Sequence, residues 1–194
     1  MLDLERHIKQ FGSLDKAALE QLKNCFKPSS LGKNEFFSRE GRYSKSVGFL
    51  REGIIRAFFT GEGGKEFTKQ FFIGPAFIGA YNSLITATPA NISHQALTHC
   101  KMLVAPYQRI LELYDRHHSL ERLGRKLAEF YYIEKEQKLI EQALLGAEER
   151  YQLLRNRFPT IENQIPQYHI ASYLGISPTQ LSRIRKKIST SLPM

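Results

Sequence analysis

The sequence predicts an α+β chain in which an N-terminal antiparallel β-roll (jelly roll) with flanking helices is followed by a long helix and a C-terminal helix–turn–helix. Three patterns support this fold class. Short apolar runs alternate with glycine-containing turns over residues 26–105, which is typical of an antiparallel sandwich or roll. Apolar residues then recur at helical spacing over residues 119–145. A glycine finally separates two amphipathic segments over residues 167–187.

The composition is that of a folded, soluble protein. Of the 194 residues, 42% are hydrophobic and 24% are charged, which is typical of a globular chain. The N-terminal segment is charged at short intervals, and no apolar run reaches the ~18 residues of a membrane helix, so we expect a cytoplasmic protein with no membrane partner. Cys25 and Cys100 are expected to be reduced, buried thiols. The net charge of +9 indicates a polyanionic partner, either nucleic acid or an anionic surface.

The N-terminal part is predicted to be helical and then β-rich. Leu4, Ile8 and Phe11 share one face of a first helix, and Ser13 is the expected N-cap of a second. TGEGGKE is predicted to be a hairpin turn between two apolar strands. The predicted strands are EFFS, VGFL, IIRAFFT, EFTKQFFI, HQALTH and KMLVA.

The long helix carries one apolar stripe. The stripe can pack on the roll or against a second copy of the helix, and its length favours the dimer. Gly146 is expected to end the helix and to mark a domain boundary. The predicted division is a sensor roll over 1–118, a dimerisation helix over 119–145 and a DNA-binding domain over 146–194. The stripe consists of Leu120, Leu123, Leu127, Phe130, Ile133, Ile140 and Leu144.

The two C-terminal helices have distinct inner and outer faces. Ile170, Ala171 and Leu174 form the inner face of the first helix, and Gly175 supplies the tight turn. Ser177 caps the second helix ahead of Pro178 at its first position. Leu181, Ile184 and Ile188 form the inner face of this second helix.

This order of features is that of a helix–turn–helix, and the alternative is a surface hairpin with a solvated basic face. Arg183 can donate two hydrogen bonds to guanine, Gln180 can pair with adenine, and Lys186 or Lys187 can contact phosphates. The predicted DNA-binding residues are Ser177, Thr179, Gln180, Ser182, Arg183, Lys186 and Lys187.

The C-terminal segment PQYHIASYLGISPTQLSRIRKKI resembles bacterial transcription regulators of the cyclic-AMP-receptor/FNR (Crp/Fnr) family, and the roll is similar more loosely. The resemblance implies a cyclic-nucleotide-binding-like roll that senses an effector, and a long helix that forms a homodimer. It also implies a winged-helix-like domain that binds a pseudo-palindromic operator in double-stranded DNA, with RNA polymerase as the expected protein partner. By position, Arg183 falls where the family has its base-contacting arginine, and Thr179 falls where many members have glutamate.

This sequence departs from the cyclic-nucleotide-binding cassette of the family that it resembles. Ala80 stands where the family has its ribose-binding glutamate, and Ala90 and Asn91 stand in place of the phosphate-binding arginine and serine. Loss of a charge-assisted contact typically costs about 1.5–3 kcal/mol, so cyclic AMP binding in the family's manner is not expected. No cofactor is predicted, and an unknown effector is left open. By position, its pocket would involve Phe77, Tyr81, Asn82 and Asn91.

Other functions find little support in the sequence. Two cysteines are too few for an iron–sulfur cluster. A haem would need an axial ligand such as His94, His99, His117 or Cys25, each expected to be an ordinary surface or core residue. The chain has no His-x-His pair of the kind found in metal-dependent β-roll enzymes, so no metal site and no enzyme activity are predicted. The remaining alternative is a small-ligand or metal-binding roll, or an enzyme, whose basic tail binds protein or RNA.

Overall fold

A computed structural model describes residues 1–191, apart from the side chain of Ser191. The predicted domain 146–194 therefore ends in three residues that lie outside the described part. The helices are α1 (Leu2–Lys9), α2 (Lys16–Cys25), α3 (Tyr81–Thr86), α4 (Tyr107–Tyr114), α5 (His118–Leu144), α6 (Ala147–Arg157), α7 (Ile161–Gln164), α8 (Gln167–Leu174) and α9 (Pro178–Ser191). The strands are β1 (Lys27–Leu31), β2 (Phe36–Ser38), β3 (Ser46–Glu52), β4 (Ile54–Thr60), β5 (Glu66–Ile73), β6 (Ala76–Ile78), β7 (Ser93–Ala96) and β8 (Cys100–Pro106).

The two predicted N-terminal helices are confirmed, but the N-cap of the second was predicted wrongly. The carboxylate of Asp15 accepts a hydrogen bond of 2.8 Å from the backbone N–H of Ala18. Asp15 is therefore the N-cap of α2, and Ser13 lies two residues too early to reach that amide.

The β-rich region forms a roll of two four-stranded antiparallel sheets, with strand orders β1-β8-β3-β6 and β2-β7-β4-β5. The predicted hairpin turn joins β4 to β5. The predicted strands are confirmed, although HQALTH is in a strand only as far as Ala96. The sequence missed β1, which is largely polar, and β6, a three-residue strand that follows directly on β5. Apolar side chains fill the space between the sheets, chiefly Leu50, Ile55, Ile78, Ala96, Cys100 and Met102.

The outer face of each sheet is covered by helices. Phe49, Leu103 and Ala105 of the first sheet pack in one core with residues of α1, α2, α4 and α5. Ile54 and Phe71 of the second sheet, together with Leu97 just after β7, pack in another core with residues of α6 to α9. The C-terminal helices therefore share a core with the roll, across the predicted boundary at residue 146.

Helix α5 matches the predicted long helix to within one residue at each end, and its apolar stripe divides into two parts. Leu120 and Leu123 are buried against the roll. Further along, Ile133 is 62% exposed, Ile140 47% and Leu144 77%. The first half of the stripe thus packs on the chain's own roll, and the second half presents apolar side chains at the surface of the single chain.

The described part of the C-terminal region consists of helices α6 to α9 and the short connections between them. Gly146 precedes α6, and its N–H donates to the carboxylate of Glu149 over 2.8 Å. Helix α6 ends at Arg157, two residues before Pro159, which cannot continue a helix. Residues 147–191 contain no strand, so the wing that a winged-helix-like domain would have is absent from these described residues.

Candidate nucleic-acid interface

Helices α8 and α9 are joined by the tight turn that the sequence predicts. Gly175 has φ +69° and ψ +28°, a left-handed conformation that favours glycine. The N–H of Ile176 returns to the C=O of Ala171 over 3.0 Å, and the Ser177 hydroxyl accepts from the N–H of Gln180 over 3.1 Å. Ser177 therefore caps α9, with Pro178 at the first helical position.

The inner and outer faces of α9 are divided as predicted. Leu181 is buried, and Ile184 and Ile188 pack beside it in the core shared with the roll. The predicted DNA-binding residues that lie within α9 are all exposed. They present hydroxyl, amide and cationic groups on the outer side of the helix. These residues are Thr179, Gln180, Ser182, Arg183, Lys186 and Lys187.

Two glutamates that the sequence did not connect to α9 pair with its basic side chains. Lys187 Nζ lies 2.7 Å from a carboxylate oxygen of Glu148, and Arg185 Nε lies 3.1 Å from one of Glu162. Within residues 1–190, neither Arg183 nor Lys186 forms an ion pair. Arg183 and Lys186 are therefore exposed cations of α9 with no ion pair in this described part, and the phosphate contact predicted for Lys187 would compete with its pair to Glu148.

Glu162 also anchors α9 to the core beneath it. Its carboxylate accepts a 2.6 Å hydrogen bond from the hydroxyl of Tyr151 and lies 3.4 Å from Arg155 Nε. Burial, followed by the neighbouring carboxylate of Glu162, raises the pKa of Tyr151 to about 12. The phenol thus stays protonated and keeps donating, so α9 is held through Arg185, Glu162 and Tyr151 in turn.

The positions of the cyclic-nucleotide cassette lie between β6 and β7. Ala80 and Ala90 are buried, and both the N–H and the C=O of Ala90 form backbone hydrogen bonds. Its N–H donates to the C=O of Arg42 over 2.9 Å, and its C=O accepts from the N–H of Gly41 over 2.8 Å. Both side chains are methyl groups, and their assignment to the cassette's carboxylate and guanidinium positions stays a prediction from the resemblance.

The four residues predicted for an effector pocket do not share one environment. Phe77 packs against His7 and Phe49 in the core under α1, with ring centres 5.6 and 5.1 Å away, and so lies outside the roll interior. Tyr81 and Asn91 are exposed. The Asn82 amide donates to the C=O of Pro89 over 3.3 Å. The described geometry thus gives these four residues no common pocket, and the pocket stays a prediction.

The candidate haem or metal ligands are also separated from one another. His94 is buried inside the roll, where its Nδ1 lies 2.8 Å from the Ser38 hydroxyl, while His99 is exposed. Cys25 is half-buried, and its thiol donates to the C=O of Gln21 over 3.4 Å. No group of three or more His, Cys, Asp or Glu in the described residues could hold a metal ion. Within the same residues, no helix is long and apolar enough to cross a membrane.

Comparisons with known proteins support the fold. Residues 28–117 match the family model of the cyclic nucleotide-binding domain. No curated protein sequence matches the chain.

Solved structures match over most of the chain. The c-di-GMP-responsive global regulator CLP of Xanthomonas campestris has a TM-score of 0.71 at 15% identity, covering 91% of this chain and 92% of its own. FixK2 from Bradyrhizobium japonicum has a TM-score of 0.73 at 16% identity, covering 85% of each chain. A Crp/Fnr family regulator from Eubacterium rectale has a TM-score of 0.72 at 11% identity, covering 91% of this chain and 84% of its own. Residues 28–117 therefore have the fold of a cyclic nucleotide-binding domain, and the chain as a whole shares the fold of these regulators.

Proposed function

We propose that the chain is a sequence-specific DNA-binding transcription regulator of the Crp/Fnr type. The observation that carries the proposal is the outer face of α9, where Thr179, Gln180 and Arg183 are exposed beside a left-handed glycine turn. In a helix–turn–helix, the second helix enters the major groove and places such side chains against base edges. RNA polymerase would be the protein partner through which a bound regulator of this type acts.

Selection of bound duplexes from a random DNA pool tests the proposal. The wild-type chain should enrich a pseudo-palindromic motif, and Arg183→Ala should relax base preference at one position of each half-site by about 1–3 kcal/mol. Arg116→Ala, which removes an exposed arginine far from α9 in the sequence, is the control. Enrichment of no motif would overturn the proposal. Uniform weakening by Arg183→Ala on all sequences would reassign Arg183 to a phosphate.

The exposed half of the α5 stripe supports a homodimer. Ile133, Ile140 and Leu144 fall on one side of the helix, about 110° around its axis from the side on which Leu120 and Leu123 meet the roll. A second copy of α5 would bury these side chains, and helix–turn–helix dimers bind half-sites about 34 Å apart, one turn of DNA.

Sedimentation equilibrium tests the dimer. Ile140→Glu should raise the dimer dissociation constant at least about tenfold, because it buries a charge in an apolar seam. Gln142→Glu adds the same charge elsewhere on α5 and should leave the dimer intact. A monomeric wild-type chain at micromolar concentration would refute the proposed seam.

We further infer that cyclic AMP is not bound in the resembled family's manner. Ala80 and Ala90 offer no group for a ribose or a phosphate, and apolar side chains fill the space between the sheets. Calorimetric titration of the full chain with cyclic AMP should give no micromolar binding. Because one structural neighbour is c-di-GMP-responsive, the same titration should include c-di-GMP as a second ligand. Micromolar cyclic AMP binding would falsify this inference.

A further inference from the structure

The outer edge of β5 is a surface that the sequence does not predict to have a partner. β5 is the last strand in the order β2-β7-β4-β5, so one of its sides has no neighbouring strand. The backbone groups along such an edge need partners from elsewhere, because an unpaired buried N–H or C=O is costly.

Two side chains from outside the roll supply those partners. The Ser172 hydroxyl of α8 accepts from the N–H of Thr68 over 2.9 Å and donates to the C=O of Glu66 over 2.9 Å. The Lys138 ammonium of α5 donates to the C=O of Lys69. One serine therefore makes the two bonds that a further strand would make, and a lysine adds a third at the next position.

The side chains around this contact bind α8 more firmly to the roll. The ring of Phe71 lies 5.1 Å from that of Tyr173, and Lys138 Nζ lies 3.9 Å from the centre of the same Tyr173 ring. On β4, the buried guanidinium of Arg56 pairs with the Glu66 carboxylate at 2.5 Å. Glu66 thus uses its backbone for α8 and its side chain for β4.

The C-terminal end of α8 is fixed as well. Arg150 of α6 donates to the C=O of Leu174 over 3.1 Å and to the C=O of Leu145 over 3.2 Å. A cation at these two carbonyls ties the end of α8 to the end of α5. Helix α8 is therefore held along its side by β5 and at its end by α6.

We propose that the edge of β5 is the contact through which the roll sets the position of the α8–α9 pair, with Ser172 as the positioning residue. The proposal rests on the proposed function, since a change in the position of α9 matters only if α9 binds DNA. Through Ser172, it assigns to the β4–β5 hairpin a direct contact with the α8–α9 pair, beside the contact that Lys138 of α5 makes with the same strand edge.

Amide hydrogen exchange on the full chain without DNA is the first test. Ser172→Ala should speed exchange of the Thr68 amide about three- to tenfold, the loss expected for one hydrogen bond, and should speed exchange within α8 as well. Ser172→Thr keeps the hydroxyl and should restore protection. Ser30→Ala, at an exposed serine of β1, is the matched control and should change neither segment. Unchanged exchange in Ser172→Ala would overturn the proposal.

DNA affinity is the second test, made on the motif selected by the wild-type chain. Ser172→Ala should change the dissociation constant at least about fivefold, and Ser172→Thr should restore it. Faster exchange with unaltered affinity would overturn the positioning role while leaving DNA binding established. Absence of DNA binding by the wild-type chain would instead refute the proposed function. The effect of Ser172→Ala on hydrogen exchange in β5 and α8 would then be the only test of the contact between them.

Discussion

Acid should destabilise this protein through His94, a histidine held neutral inside the roll. His94 is 1% exposed, and its Nδ1 lies 2.8 Å from the Ser38 hydroxyl. Burial, followed by the charge of Lys69, lowers the pKa of His94 from 6.5 to about 4. Because the unfolded chain binds a proton at higher pH than the folded one, stability falls as the pH falls below about 6.5 and stops falling near the folded pKa.

The expected magnitude follows from the two pKa values. A histidine with an unfolded pKa of 6.5 and a folded pKa of about 4 lowers the free energy of unfolding by about 2 kcal/mol between pH 7 and pH 5. His169, a buried residue of α8, has its pKa lowered to about 4 as well, by burial and then by Arg56 and Lys33. Together, the two histidines should therefore lower the free energy of unfolding by about 4 kcal/mol between pH 7 and pH 5. This is a large part of a typical total stability of about 5–15 kcal/mol.

Urea denaturation followed by circular dichroism at pH 7 and pH 5 is the assay, at fixed ionic strength and protein concentration. The window is chosen because the carboxylates of Asp3, Glu5 and Glu52 have lowered pKa values, so that their contributions are lost mainly below pH 5. His94→Gln should reduce the loss of stability between the two pH values by about 2 kcal/mol, even if the variant is less stable overall.

His99→Gln, at an exposed histidine, is the control and should lose as much stability as the wild type. If His94→Gln also loses as much as the wild type, His94 is not the neutral buried group that the geometry indicates, and the reasoning fails.

Two further predictions concern the C-terminal helices and their junction with the roll. Leu181→Ala should lower the free energy of unfolding by about 2–5 kcal/mol, because Leu181 is 1% exposed in the core under α9. Urea denaturation measures this loss. Leu153→Ala, at a partly exposed site, is the control and should lower the free energy of unfolding far less. Burial, followed by the charge of Arg157, lowers the pKa of Lys138 to about 7, so raising the pH from 7 to 8.5 should stabilise the folded state by about 1–2 kcal/mol. Lys138→Met should abolish that gain, and an equal gain in the variant would contradict the assignment.

The C-terminal helix pair could be predicted in detail because its signals are local. Gly175, Ser177 and Pro178 act on the backbone within one or two turns, and the apolar spacing of α9 is set by the helix itself. The same holds for the ends of α5, which were predicted to within one residue.

The remaining contacts of the site could not be predicted, because they join distant parts of the chain. The bonds from Ser172 to β5 span 104 and 106 residues, and the Lys187 pair with Glu148 spans 39. Nothing in the spacing of a sequence records which serine will face a strand edge. The point along α5 at which its apolar stripe passes from buried to exposed depends on where the roll ends. Helical periodicity in the sequence does not encode that position.

These long-range contacts place the roll interior close to the candidate DNA-binding surface. Along β7, His94 points inside the roll, while its neighbour Gln95 accepts from the Arg56 guanidinium over 2.6 and 2.9 Å. Arg56 in turn pairs with Glu66, whose backbone accepts from the Ser172 hydroxyl. A ligand that moved β7 would therefore act on α8 through a short series of polar contacts within and beside one sheet. For this reason, a search for an effector should follow exchange at β5 and α8, where we expect its binding to register even if α5 stays in place.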